Sequence, residues 1–257
     1  MKITAIISTL LASATAFAPT HKAPASSSSQ LSESISDLKT IAEKSNPLLK
    51  YYDPLNLADA SFWWASNEQT IGFLRHSEIK HGRIAMFAFV GYIVHSNFHV
   101  PYSYSLDGAA LPDVSLSPEA QWDAIPLNAK LQIFATIACL EIWDECGGQV
   151  GNEAEGMPHY MNGRKPGDYP SMGNFRDNVH FALDLFDPFN LSKNKSEEAK
   201  AEGLIRELNN GRLAMIGIMG FLAADKVPGS VPLLADIARP YSGDSMAPFG
   251  GDFSFFN

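Results

Sequence analysis

Two short segments of this chain place an acid, a base and a neutral donor at the same offsets. Residues 78–86 read E-I-K-H-G-R-I-A-M and residues 207–215 read E-L-N-N-G-R-L-A-M, with five of nine positions identical. In each copy a glutamate (Glu78, Glu207) is followed three residues later by a neutral nitrogen or oxygen donor (His81, Asn210). Two residues further on comes an arginine (Arg83, Arg212). On a helix, residues five apart are separated by about 140° around the axis, outside the i,i+3 and i,i+4 positions where side chains meet. Neither glutamate can therefore close an ion pair with the arginine of its own copy. The charges are satisfied if two helices cross with two-fold symmetry, pairing Glu78 with Arg212 and Glu207 with Arg83.

A carboxylate held by arginine on one oxygen keeps lone pairs on the other. With His81 or Asn210 one turn along, each copy offers two outward donors beside the crossing. One donor per metal suits a magnesium already held in a macrocycle; a protein-built octahedral site needs several converging oxygens. Glu78-Ile79-Lys80-His81 also matches the Glu-x-x-His pair of a di-metal carboxylate bundle. That alternative, an oxidase, wants four helices and a second His where this chain has Asn210.

The elements that must position these residues are helices. Helical patterning runs from about Asn67 to Ser96, Leu127 to Cys146 and Ser196 to Lys226, the last opened by a capping serine and acids in its first turn. Pro101 and Pro228 lie beyond the first and third, and strand signals are sparse. The intervening 97–126 and 147–195 are long loops rich in Pro, Gly, Asn and Asp. The first and third segments are repeats that extend back to D-P-L-N-L at 53–57 and D-P-F-N-L at 187–191. Gly82, Ala85, Ala88 and Gly91 correspond to Gly211, Ala214, Gly217 and Gly220, all small, as close backbone approach within a bilayer requires.

Composition excludes several classes. The formal charge of -9 and the absence of a Lys/Arg run argue against nucleic-acid binding. No serine-nucleophile motif, G-x-G-x-x-G loop or C-x-x-C motif is present, so no enzyme is indicated. Mean hydropathy is -0.07 and no run of eighteen apolar residues occurs, so hydropathy alone reads as soluble. Cys139 and Cys146, on one helix, would lie roughly 10 Å apart, too far for a disulfide, and read as two buried thiols. Residues 1–16 have the make-up of a signal peptide ending in Ala14-Thr15-Ala16. Residues 17–45, opening on Phe17-Ala18-Pro19 and Ser-rich, read as a plastid transit peptide and flexible N-terminus, leaving 46–257 as the folded domain.

The two E-x-x-[HN]-x-R-x-A-M segments resemble those of the chlorophyll-binding light-harvesting family, in particular its fucoxanthin chlorophyll a/c members in red-lineage algae. The resemblance implies an all-α membrane protein of three transmembrane helices, the first and third crossed, with short amphipathic helices in the loops. It implies a light-harvesting antenna, with a photoprotective or assembly relative as the alternative. It carries chlorophyll a, chlorophyll c and fucoxanthin or related carotenoids as cofactors, and magnesium only within chlorophyll. Glu78, His81, Glu207 and Asn210 are then axial ligands to chlorophyll magnesium, and Arg83 and Arg212 the inter-helix partners of the glutamates. Gln132 and Glu141 are the corresponding positions of the middle helix, with Asp144 and Glu145 either ligand-bearing or a solvated acidic end. Asp53, Pro54, Asp187 and Pro188 fall in loops that seat carotenoid ends. Plant members carry a further Gln and His after the third-helix motif, and here there is neither after Met215. Five extra imidazoles are present, at His76, His95, His99, His159 and His180; His95 is the best placed for an added pigment. The implied setting is the thylakoid membrane, beside a photosystem core, neighbouring antenna proteins and lipids, with homo- or hetero-oligomers possible.

Overall fold

The computed structural model describes residues 34–103, 105–106, 108–148, 156–178, 187, 189 and 194–250. The signal segment 1–16 and residues 17–33 lie outside them, as do Pro188 and His180. The described chain is helical, without strands. Its helices are α1 (Ile35–Ser45), α2 (Asn67–Asn97), α3 (Pro118–Asp123), α4 (Leu127–Glu145), α5 (Gly173–Asn178) and α6 (Glu197–Lys226), with short 3-10 turns at Leu57–Asp59, Tyr160–Asn162 and Pro232–Leu234.

Local chemistry sets the ends of the two long helices. Ser66 Oγ accepts the Gln69 amide at 3.2 Å while Gln69 Oε1 accepts the Ser66 amide at 2.9 Å, a reciprocal capping box. Ser196 Oγ accepts the Ala199 amide at 3.3 Å, and α6 stops two residues before Pro228. Removing the Ser66 hydroxyl leaves a first-turn amide without its acceptor. Ser66→Ala should cost about 1 kcal/mol, read as a lowered midpoint in thermal unfolding followed by circular dichroism.

α1 lies within the stretch that the sequence suggested was leader and flexible N-terminus. Ser34 caps it through a box with Asp37, and it packs on α6, where Asn209 donates to the Ser45 carbonyl at 3.0 Å. The structured chain thus starts ahead of the boundary at residue 46.

α2 and α6 form the centre. A methyl group on Gly82 would stand 3.1 Å from the Gly211 Cα, and one on Gly211 would stand 2.9 Å from the Gly82 Cα. Ala85 and Ala214, one turn along, are buried. The contact does not continue over all eight small residues: methyls on Gly91 and Gly220 would meet nothing within 4 Å. The helices diverge there, and Tyr92 of α2 stacks on Phe221 of α6 at 4.8 Å.

α4 is different. Among the described residues it makes no extensive contact with another helix, and Leu131, Ile133, Phe134, Ile137 and Ile142 are all exposed. A helix apolar on every side is normally a covered one. By hydropathy no helix among the described residues is long and apolar enough to cross a membrane. Cys139 on α4 and Cys146 just past its end are free and exposed, so the expectation of buried thiols is corrected: none of the described residues packs over these two thiols to bury them.

Candidate functional site

The crossing of α2 and α6 brings the two motif copies face to face. Arg212 holds Glu78 Oε1 through Nε at 2.8 Å and a terminal nitrogen at 2.7 Å, and Arg83 Nε donates to Glu207 Oε1 at 2.5 Å. The two pairs are not equivalent. Glu78 Oε2 also receives Arg75, an i,i+3 neighbour, so both its oxygens are engaged. Glu207 has Arg83 alone among the described residues, and its second oxygen is left over. Arg83 in turn donates to the Gly167 carbonyl at 2.6 Å, tying the loop after α4 to the crossing. A cleft of about 600 Å³ lies against both pairs, lined by Glu78, Ile79, Gly82, Glu207 and Leu208 with Lys44 at its edge.

The neutral donors face outward. His81 is exposed, and its Nδ1 lies 2.8 Å from the Ser77 carbonyl. A carbonyl only accepts, so Nδ1 carries the proton and Nε2 presents a lone pair away from the helix. That is the tautomer a metal needs. Asn210, at the matching place on α6, is exposed and makes no side-chain hydrogen bond among the described residues. Gln132 is likewise exposed on α4, its amide making no hydrogen bond among the described residues. Glu141 has one oxygen bound by Lys80 at 2.7 Å, and its side chain is half exposed. These residues fit singly held metals in macrocycles. Among the described residues, no three His, Cys, Asp or Glu side chains converge as a protein-built metal centre requires.

The D-P-L-N-L loop is organised by its own aspartate. Asp53 accepts the amides of Leu57 and Ala58 at 3.0 and 2.9 Å, with Asn56 left-handed between them. Those amides, Ala58 first, hold the Asp53 carboxyl below its ordinary range. Asp53 and Pro54 thus shape a turn beside the start of α2, which Asn67 fastens by donating to the Ala58 carbonyl. Of the matching 187–191 segment only Asp187, left-handed, and the exposed Phe189 are described.

No motif or spacing pointed to a buried polar knot between α2, the end of α4 and the loop behind it. Asp144 is fully buried, not a solvated helix end, and it accepts from three cations or donors: Arg164 at 2.7 Å, His76 Nε2 at 2.9 Å and Lys80 at 3.0 Å. The Gly167 amide donates to His76 Nδ1 at 3.2 Å, so the His76 proton sits on Nε2, toward Asp144. Tyr160 stacks flat on His76 at 4.1 Å and donates to Glu145 at 2.9 Å, while His159 bonds the other Glu145 oxygen. Of the extra imidazoles, His76 and His159 are thus occupied by protein, as is His99, whose Nε2 lies 2.9 Å from Gln121 Oε1. Removing Asp144 would leave Arg164, itself buried, without its counter-charge. Asp144→Ala should destabilise the fold by about 3–5 kcal/mol, read as loss of the cooperative thermal transition or a large drop in its midpoint.

Comparison with known proteins extends the picture. A family model described as "Chlorophyll A-B binding protein" matches residues 38–226. The chain is 33% identical over 241 residues to a chloroplastic fucoxanthin-chlorophyll a-c binding protein of Trieres chinensis, covering 91% of this chain and 98% of that one. It is 32% identical over 194 residues to protein E of the same description from Macrocystis pyrifera, covering 75% and 76%. To protein F from Phaeodactylum tricornutum it is 30% identical over 225 residues, covering 87% and 95%.

Proposed function

The chain belongs to the chlorophyll A-B binding protein family, and on that footing we propose that it is a light-harvesting antenna carrying chlorophyll a, chlorophyll c and fucoxanthin. The observation that carries this reading is the crossed pair of α2 and α6. It neutralises four charges while leaving His81 and Asn210 facing outward with unused donor atoms. Glu78, Glu207, Gln132 and Glu141 are the further axial ligands in this reading, Glu207 the better disposed of the two motif glutamates because Arg75 does not share it. Bound chlorophyll supplies the absorbing macrocycle and its magnesium. The residues of the chain fix where each ring sits and which way it faces, and no side chain makes or breaks a bond.

In the same reading α2, α4 and α6 are membrane spans of a multi-pass thylakoid protein. None meets the hydropathy expected of a lone span. In α2 and α6 the motif charges lower the average, and a charge at membrane depth is tolerated when its partner accompanies it. The outward faces are apolar where the motif is not: Ile84, Phe87 and Val90 on α2 match Leu213, Ile216 and Met219 on α6, all exposed. Pigments and lipid are the proposed cover for these stripes and for the bare α4. Residues 1–16 and the stretch after them act as a plastid address, and the photosystem core and neighbouring antennae are the partners. Extraction of pigment from the protein isolated from thylakoids tests the reading. Chlorophylls a and c with fucoxanthin are expected, and absence of chlorophyll would overturn it.

A further inference from the structure

The repeat that gives the two motif glutamates equivalent positions breaks three residues before each of them. On α2 that place holds Arg75, and on α6 it holds Leu204. Both border the cleft that lies against the ion pairs. An i,i+3 step sets Arg75 beside Glu78 on one helix face, and its guanidinium donates to Glu78 Oε2. Arg212 holds Oε1 from the other helix. Leu204 has nothing to donate. Glu207 is held on Oε1 by Arg83, and its Oε2 makes no hydrogen bond among the described residues.

The difference falls on the oxygen that a metal would use. A magnesium in a macrocycle needs one lone pair, and the flat ring around it needs a clear approach to that oxygen. Glu207 Oε2 can give both. At Glu78 Oε2 the Arg75 guanidinium stands in the way. Each carboxylate oxygen carries a second lone pair, but a ring centred over the oxygen sweeps the space of any side chain bonded to the same atom. Nor does the guanidinium leave readily. A charge-assisted hydrogen bond is about twice as strong as a neutral one. The Arg75 side chain is 11% exposed and that of Glu78 26%, so salt screens the pair weakly.

A displaced Arg75 still has carboxylates within the cleft, because Glu198 and Glu202 of α6 border it too. Arg75, Arg83 and Arg212 meet Glu78 and Glu207 at the crossing, three cations to two acids. Arg83 and Arg212 tie one helix to the other. Arg75 pairs within its own helix, so it can turn away without parting α2 from α6. We propose that Arg75 competes with chlorophyll magnesium for Glu78 Oε2 and so sets the order in which the motif glutamates take pigment, Glu207 first and Glu78 last. On the antenna reading, on which this rests, Arg75 is a positioning residue: it touches the ligand oxygen and not the pigment.

The test refolds the chain with fucoxanthin in excess while chlorophylls a and c, in fixed ratio, are raised stepwise from a limiting amount. Pigments are counted after extraction, and low-temperature absorption follows each component as it fills. The unaltered chain should show one chlorophyll component that fills after the Glu207 component. Arg75→Leu, which copies the other repeat, should fill it at about tenfold lower pigment, the worth of one charge-assisted hydrogen bond. Leu204→Arg, at an exposed position, should delay a different component and leave the first where it was. A merely structural Arg75 gives the opposite sign. Loss or later filling of pigment in Arg75→Leu would therefore overturn the competition, as would filling curves that neither variant moves. If Arg75→Leu does not assemble, Leu204→Arg decides alone, by delaying its component or failing to. If the unaltered chain takes up no chlorophyll, the antenna reading itself fails; if it loads fully and the variants match it step for step, only the role of Arg75 is wrong.

Discussion

Arg83→Leu is expected to release pigment from α6, the helix that does not carry the substitution, and to do more damage than Arg212→Leu. Arg83 is the one cation that Glu207 has among the described residues, whereas Glu78 keeps Arg75 when Arg212 is removed. In the proposed membrane reading an uncompensated carboxylate costs about 3 kcal/mol, and protonation, the cheaper escape, weakens it as a metal ligand. Arg83 also holds the Gly167 carbonyl, so its loss frees the loop behind α4 from the crossing. Pigment counts after refolding check this. Arg83→Leu should lose at least the chlorophyll held by Glu207, while Arg212→Leu should retain most of its complement. Equal losses would mean that Arg75 does not support Glu78 as the geometry indicates. An exchanged pair, Arg83→Glu with Glu207→Arg, should restore assembly without restoring the Glu207 pigment.

Gly211→Leu should abolish assembly altogether. Even a methyl there falls 2.9 Å from the Gly82 Cα, and the obstacle is backbone, which cannot swing aside as a side chain can. The two helices would have to separate, pulling both ion pairs beyond reach at once. The contrast is Gly203→Ala, on the same helix, where an added methyl meets nothing within 4 Å. That change should stabilise the chain by about 1 kcal/mol through helix propensity alone. Refolding yield with pigments, read by circular dichroism and gel migration of the pigmented band, separates the two outcomes.

What could be read in advance had local or repeating signals behind it. Ser196 and Pro228 bracket α6, one residue before its observed start and two beyond its end. The five-residue offset between glutamate and arginine forced the pairs to be sought between helices. Other features were written just as locally and passed over: the Ser66–Gln69 box, and Arg75 three residues before Glu78. The Asp144 knot is another matter. Residues 76, 80, 144 and 164 share no period or motif, and their meeting depends on how the loop after α4 folds back over α2. The matched small residues misled in part for a related reason. Spacing identifies one face of a helix, but how far two helices stay in contact depends on the crossing angle, and here the backbones part before Gly91 and Gly220. Hydropathy speaks least to the proposed membrane reading, because averaging along one helix cannot register charges that are cancelled by another.

The most direct test of the antenna role is the fluorescence excitation spectrum of the refolded, pigment-loaded chain, with emission recorded from chlorophyll a. An antenna gives chlorophyll a emission when light is absorbed by chlorophyll c or fucoxanthin, because the chain holds these pigments close and oriented. Heat denaturation should erase those excitation bands while leaving the direct chlorophyll a band. Emission only on direct excitation of chlorophyll a, in a chain shown by extraction to carry all three pigments, would contradict a light-harvesting role.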